Sequence, residues 1–295
     1  MHDNAISNLL SMLEVIKLNN LEIFSEFTRD KKLIVYRDIK SKVIFIDQYI
    51  TSDGEYEKSG STGDVDSEHI KYINYLNYED YKDTIRRIEV NDKFIINKNV
   101  LDFGCGSGTF LKAIKNITQS ITGVELNERN RTELANLHGI ECVKNIMELS
   151  SNYDLITLFH SFEHLSDPVS VLKIIKTKLK SDGKIIIEVP HAKDFLIQSL
   201  KNEFFIKHTL WSQHLILHTR ESLFKILDFC GYKDIVIKGV QRYSLSNHLT
   251  WLNSNTPGGH KSIFSNFETK ELHAEYEKSL LSIDATDTIV AYATI

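Results

Sequence analysis

Apolar residues first recur at helical spacing, where Ile6, Leu9, Leu10, Leu13 and Ile16 predict an amphipathic helix over about residues 4–18. The pattern then shortens. KLIVYR at Lys32–Arg37 and KVIFID at Lys42–Asp47 predict two strands around a polar turn. TSDGEYEKSGSTGD at Thr51–Asp64 is polar and glycine-bearing and predicts a loop. A second helical stretch follows over about 66–88, with Tyr72, Tyr75, Tyr78 and Tyr81 three apart, a stripe that suits packing or stacking on a ligand.

From residue 98 the texture changes. Short β-branched runs at 98–103, 120–125, 140–143, 153–159 and 183–189 alternate with helical runs at 108–116, 127–138 and 168–179. That alternation is the mark of a parallel sheet covered by helices. Asp167 and Pro168 suit the cap and first turn of the last of these helices. Helices are expected near 191–200 and 219–229, with Gly231 as a stop, and final strands at 233–240 and 287–295. The chain therefore divides into an N-terminal accessory region, 1–95, and an α/β domain, 96–295, with insertions at about 191–230 and 241–285.

Composition narrows the classes. The 295 residues suffice for a full core. A net charge of -5 argues against a nucleic-acid partner. Cys105, Cys142 and Cys230 are odd in number and widely spaced, which predicts neither a disulfide framework nor a zinc site. No basic leader precedes an apolar run, and no stretch of about 18 apolar residues exists. These features predict a cytoplasmic protein with no membrane span.

The densest chemical signal is VLDFGCGSGTF at Val100–Phe110. Glycines let backbone turn sharply and approach a ligand, and the following helix offers free N–H groups. Glu125 ends the next strand, 21 residues after Gly104, where a carboxylate can accept from both hydroxyls of a ribose. An adenosine-type ligand follows. Nicotinamide enzymes usually show GxGxxG, whereas here the spacing is GxGxG, with Thr109 and Leu111 at the completing positions.

VLDFGCGSGTFL, GVELNERN, YDLITLFHSFEHLSDP and LKSDGKIIIEVP resemble, in order, the motifs of class I S-adenosylmethionine (SAM)-dependent methyltransferases over about residues 98–190. The resemblance implies a Rossmann-like α/β fold, with a seven-stranded, mostly parallel sheet of order 3-2-1-4-5-7-6 and a reversed last strand. It implies SAM as cofactor. Asp102, Gly104, Cys105 and Gly106 would lie around the methionine moiety, Glu125 at the ribose and Leu126 beside the adenine. Asn145 falls where an acid commonly meets the adenine amino group, and Phe159 and His160 where the chain passes the methyl.

His160, Glu163 and His164 would share one face if HSFEH made a helical turn. His164 suits a general base. Ubiquinone-pathway O-methyltransferases carry a related ExxEH pattern that holds a divalent cation. Here His160 replaces the first glutamate, so a metal-free site is expected. A purely structural role in the turn is the third reading. His214 is a second candidate for an acceptor contact and His218 a weaker one. QRYSLSNHLTWLNSNTPGGH at Gln241–His260 resembles segments of bacterial surface-polysaccharide methyltransferases, and its Arg242, Tyr243, Asn247 and His248 could meet a sugar or phosphate. GEYEKSG followed by DTIRRIEV resembles the same subset and predicts a lid.

The expected activity is methyl transfer to a hydroxyl of a small polar acceptor: a sugar, nucleotide-sugar or surface-polysaccharide precursor. Alternatives are N- or C-methylation of another metabolite, a dinucleotide-dependent oxidoreductase, and a non-catalytic SAM-fold subunit.

Overall fold

The computed structural model describes residues 6–47, 67–150 and 152–295, with side chains from residue 80 onward in the helix that begins at 67. The polar loop expected at 51–64 and the side chains of Tyr72, Tyr75 and Tyr78 lie outside the described residues; Tyr81 is exposed. No helix among the described residues is long and apolar enough to cross a membrane.

Seven strands form the main sheet: β4 (Asn99–Phe103), β5 (Ser120–Val124), β6 (Glu141–Val143), β7 (Tyr153–Phe159), β8 (Leu179–Pro190), β10 (Lys233–Val240) and β11 (Thr288–Thr294). Their spatial order is β10-β11-β8-β7-β4-β5-β6. The five strands from β8 to β6 run parallel, while β11 is antiparallel to both β8 and β10. This is the expected order 3-2-1-4-5-7-6 with its reversed last strand.

Successive strand residues alternate between two apolar layers, as a sheet covered on both faces requires. Leu101, Ile156 and Ile187 face the layer shared with α5 (Pro168–Lys178) and α8 (Arg220–Phe229). Val100, Leu155 and Ile186 face the layer shared with α2 (Ser67–Ile95), α3 (Thr109–Ile114) and α4 (Glu128–His138). Asp167 caps α5 by accepting from Ser170 N at 3.0 Å, with Pro168 in the first turn.

Toward the N-terminus, α1 covers only Ile6–Met12, shorter than its periodicity predicts, because the chain turns back through Glu14 at φ 55°. The antiparallel sheet there has four strands, β1 (Leu21–Ser25), β2 (Val35–Asp38), β3 (Ile44–Ile46) and β9 (Ile216–Leu217). Two of these, β1 and β9, were not expected. The fourth comes from the 191–230 insertion, so the accessory sheet is completed by the α/β domain. The helix expected at 191–200 reduces to α6 (Phe195–Gln198), followed by α7 (Glu203–Thr209). The 241–285 insertion contains α9 (Leu245–Ser254) and α10 (Lys270–Ser282).

Candidate active site

The parallel strands all end at one edge of the sheet, and Gly104, Glu125, Leu126, Asn145 and His164 gather around one cavity there. After β4 the chain takes Gly104, Gly106 and Gly108 through positive φ, at 74°, 54° and 73°. A Cβ on Gly104 would sit 2.6 Å from Ser161 Cβ, so the close approach of the loop after β7 requires glycine there.

The glycine loop is tied to β5 at both ends. Gly104 N donates to Val124 O at 2.7 Å, and Gly106 N donates to Glu125 Oε2 at 2.8 Å. Glu125 Oε1 accepts from Asn127 N at 2.7 Å. The buried carboxylate therefore sets the loop's shape before any ligand arrives, and each oxygen keeps a second lone pair for a ribose hydroxyl.

A cavity of about 320 Å³ opens over this loop. Gly104, Glu125, Leu126 and Asn145 line one side, and His164, Gln213 and Leu215 line the other. Asn145 caps a single helical turn: its Oδ1 accepts from Met147 N at 2.9 Å and its N–H donates to Glu148 Oε1 at 2.8 Å. Only the remaining lone pair of that oxygen is left for an adenine amino group.

Asp102 lies beneath the loop. It is buried, accepts from Thr157 Oγ1 at 2.7 Å, and burial pushes its carboxyl up to about 7 despite that bond. Cys105 also packs beneath, with its Sγ 3.7 Å from Cys142 Sγ. Phe159 turns away from the cavity. It meets Phe110 edge-on at 5.0 Å and lies under the Arg87 guanidinium at 4.3 Å.

HSFEH does not form one helical turn. Phe162–His164 make a tight single turn, while His160 sits before it at φ 52°. His160 is flanked by two carboxylates: its Nδ1 is 3.4 Å from Glu163 Oε1 and its Nε2 is 3.3 Å from Glu188 Oε1. His164 Nδ1 bonds the Gln213 carbonyl at 2.8 Å, and His214 Nδ1 bonds the Thr209 carbonyl at 3.0 Å. Carbonyls only accept, so both Nδ1 atoms carry a proton, and in the neutral ring the lone pair lies on Nε2. Burial, with His164 nearby, lowers His214 to about 3, so its ring is neutral at pH 7.

Glu163, His164 and His214 each bring one ligand atom within 4.8 Å of the others. Glu163 is buried, and neither carboxylate oxygen has an aligned hydrogen-bond partner. Burial raises its carboxyl, but the neighbouring His160, His164 and His214 outweigh this and bring it down to about 2. Imidazoles whose other nitrogen donates to a backbone carbonyl are oriented as metal ligands usually are. A two-nitrogen, one-oxygen set suits zinc or manganese better than magnesium. The metal-free expectation thus meets a donor set that fits a cation.

Beside His160 lies a charged network that the sequence did not reveal. Buried Glu188 on β8 takes Arg86 Nη2 at 2.9 and 3.0 Å and Arg87 Nη2 at 2.7 Å. Asp83 pairs with Arg86 at 3.1 Å and with Arg242 Nε at 2.7 Å. Its carboxyl falls to about 2 because the guanidinium groups of Arg242 and Arg87 outweigh its burial. The one available signal was a lone glutamate inside the apolar run Ile185–Val189. His218 and His248 are not brought to the cavity. His218 packs on Phe162 in the core, and His248 sits between Phe195 and Tyr276.

A doubly wound sheet with a reversed last strand, a glycine loop after its first strand and an acid ending its second defines a class I SAM-dependent methyltransferase fold. Residues 72–265, well over half of the chain, match the family described as "Methyltransferase domain", and the chain belongs to that family. Its methyl donor is SAM. Among curated relatives, the chain is 27% identical over 170 residues to a ubiquinone biosynthesis O-methyltransferase of Idiomarina loihiensis, covering 52% of this chain and 69% of that protein. The corresponding enzyme of Aeromonas salmonicida is 25% identical over 126 residues, which span 38% of this chain and 52% of that one. Several such relatives are matched over only about half of their length.

Solved structures show the same fold at low identity. A SAM-dependent methyltransferase from Archaeoglobus fulgidus superposes with a TM-score of 0.51 at 21% identity, over 75% of this chain and 99% of that one. A Haemonchus contortus phosphoethanolamine N-methyltransferase, in complex with phosphomonomethylethanolamine and S-adenosylhomocysteine (SAH), gives 0.50 at 15% identity, over 83% of this chain and 60% of that one.

Proposed function

We propose that the protein methylates a hydroxyl of a small polar acceptor, with a sugar, nucleotide-sugar or surface-polysaccharide precursor as the class. One observation carries the hydroxyl reading: His164 lines the same cavity as Gly104 and Glu125, with its Nε2 as the basic nitrogen. SAM would sit over the glycine loop with its ribose at Glu125 and its adenine between Leu126 and Asn145. Bound SAM would supply the methyl group to the acceptor oxygen and leave as SAH, and His164 would take the hydroxyl proton. The ubiquinone relatives favour oxygen as nucleophile. The sugar class rests on the polar Gln241–His260 segment.

Alignment and exclusion of water supply most of the acceleration, roughly 7–11 kcal/mol. A base adds a factor of about 10²–10⁴. SAM titration and labelled-methyl transfer to a panel of sugar 1-phosphates, nucleotide-sugars, phenols and amines test the reading. His164→Gln should lower kcat by about 10²–10⁴-fold while leaving SAM affinity nearly unchanged. Absence of SAM binding by the wild type overturns the proposal, and label on phenols or amines alone overturns the acceptor class.

The clustered donor atoms of Glu163, His164 and His214, with no aligned hydrogen bond among the described residues on either Glu163 oxygen, favour a second reading, in which these three residues hold a divalent cation. Such a cation would polarise the acceptor hydroxyl and lower its pKa. Activity abolished by chelation and restored by zinc or manganese would select this reading over the base.

A further inference from the structure

A second cavity, of about 410 Å³, lies at the same edge of the sheet, between α2, the turn after β10 and the start of α10. Lys82, Arg86, Arg242, His260, Lys270 and His273 line it, opposed by Asp83 and Glu268. Both carboxylates already have partners. Asp83 is held by Arg86 and Arg242, and Glu268 accepts from Ser246 N at 3.3 Å. In a chain of net charge -5 such a cation-rich hollow is a local exception.

Among the described residues, Arg86 Nε and His273 Nδ1 on its lining are buried without a hydrogen-bond partner. A buried donor without an acceptor is costly, so the Arg86 guanidinium calls for an acceptor-rich group. Arg86 also grips Glu188, which lies 3.3 Å from His160 Nε2, so one carboxylate separates this hollow from the residue at the end of β7.

We infer that this cavity seats a phosphate ester carried by the methyl acceptor. Arg242 and Arg86 form its inner wall, and exposed Lys82 and Lys270 form its cationic rim. A phosphate supplies several acceptor oxygens and about two negative charges, which match forked guanidinium groups and ammonium groups together. This deepens the methyltransferase reading and rests on it: the acceptor would be a phosphorylated sugar or a nucleotide-linked one, held by its phosphate while its hydroxyl points to the SAM methyl.

The test is calorimetric titration of the full chain, loaded with SAH, with inorganic pyrophosphate, UDP and glucose 1-phosphate in parallel. Saturable binding is expected, weaker at high salt because the rim is solvent-exposed. The exposed pair Lys82→Glu with Lys270→Glu should weaken it at least about ten-fold, since charge reversal turns attraction into repulsion, with SAH affinity unchanged as the control for folding. Tighter binding of UDP than of glucose 1-phosphate identifies a nucleotide-linked acceptor, and the reverse identifies a sugar phosphate. Binding of none of the three at millimolar concentration, or equal binding by the double variant, overturns the inference while SAH binding keeps the methyltransferase reading. Failure of SAH itself to bind brings down both.

Discussion

Over β4 and β5 the edge of the sheet is made largely of backbone. Three glycines at positive φ, an N–H aimed at Glu125 and a second N–H on its other oxygen shape the loop within a span of 24 residues, from Gly104 to Asn127. Over β7, β8 and the turn after β10 the edge is made of side chains distant in sequence. Arg86 meets Glu188 across 102 positions, and Arg242 meets Asp83 across 159. The first construction suits a ligand common to a whole family, because backbone geometry tolerates drift in the surrounding residues. The second can change one side chain at a time without disturbing the first, which is what acceptor specificity needs.

The comparison implies that damage to the two halves should separate. Glu188→Ala leaves Arg86 and the buried Arg87 without their carboxylate. Breaking a buried pair from one side costs about 3–5 kcal/mol. At about 2–4 °C per kcal/mol for a large domain, that lowers Tm by roughly 6–20 °C. Thermal melts should show this fall while SAM affinity of the folded variant stays within about three-fold, the range of context dependence in a single hydrogen bond. A large loss of SAM affinity would show that the halves are one unit.

Glu125→Ala should do the reverse. Losing two ribose hydrogen bonds at about 1–1.5 kcal/mol each weakens SAM by roughly 30- to 150-fold. Its effect on Tm should be much smaller than that of Glu188→Ala, because the side chain anchors a loop and leaves no buried charge behind. Calorimetry on both variants, with melts on both, sets the two halves against each other.

The same contrast explains what was legible in the sequence. The glycine loop, Glu125 and the positions of the strands could be read because each depends on local spacing or on alternation along one strand, whereas the strand order came only with the resemblance to the methyltransferase motifs. Strand β1 was missed because LEIFS leaves Ile23 exposed and gives no clean alternation. Strand β9 was missed because two residues, Ile216 and Leu217, carry no periodicity of their own. The shared face expected of His160, Glu163 and His164 failed because His160 takes a left-handed conformation, which resets the direction of the turn. Phe159 points away because strand alternation sends it to the Phe110 and Arg87 side. Arg86, Arg87 and Glu188 form a site only through tertiary contact, and no spacing rule links them.

The smallest expected effect concerns the two carboxylates of the cofactor half. Glu125 is satisfied by two backbone N–H groups, whereas Asp102 has one hydroxyl partner, and burial holds its carboxyl up to about 7. Below that pH Asp102 is protonated in the folded, ligand-free protein. If it faces the ammonium group of SAM, binding favours its charged form and expels the proton. Affinity should then fall as pH drops below about 7, by up to about ten-fold per unit for a single proton, and level off above it. The sign for stability is opposite. A raised folded pKa contributes stability that is full below the unfolded value and is lost as pH rises through about 7. SAM should therefore protect the fold most where Asp102 alone costs it most, on the alkaline side. Titrations across pH 6 to 8, in buffers of different ionisation enthalpy, should show about one proton released per SAM bound at the acid end. Asp102→Asn should abolish both the slope and the release. A slope that persists in that variant would move the titrating group elsewhere and leave Asp102 as a packing residue beneath the loop.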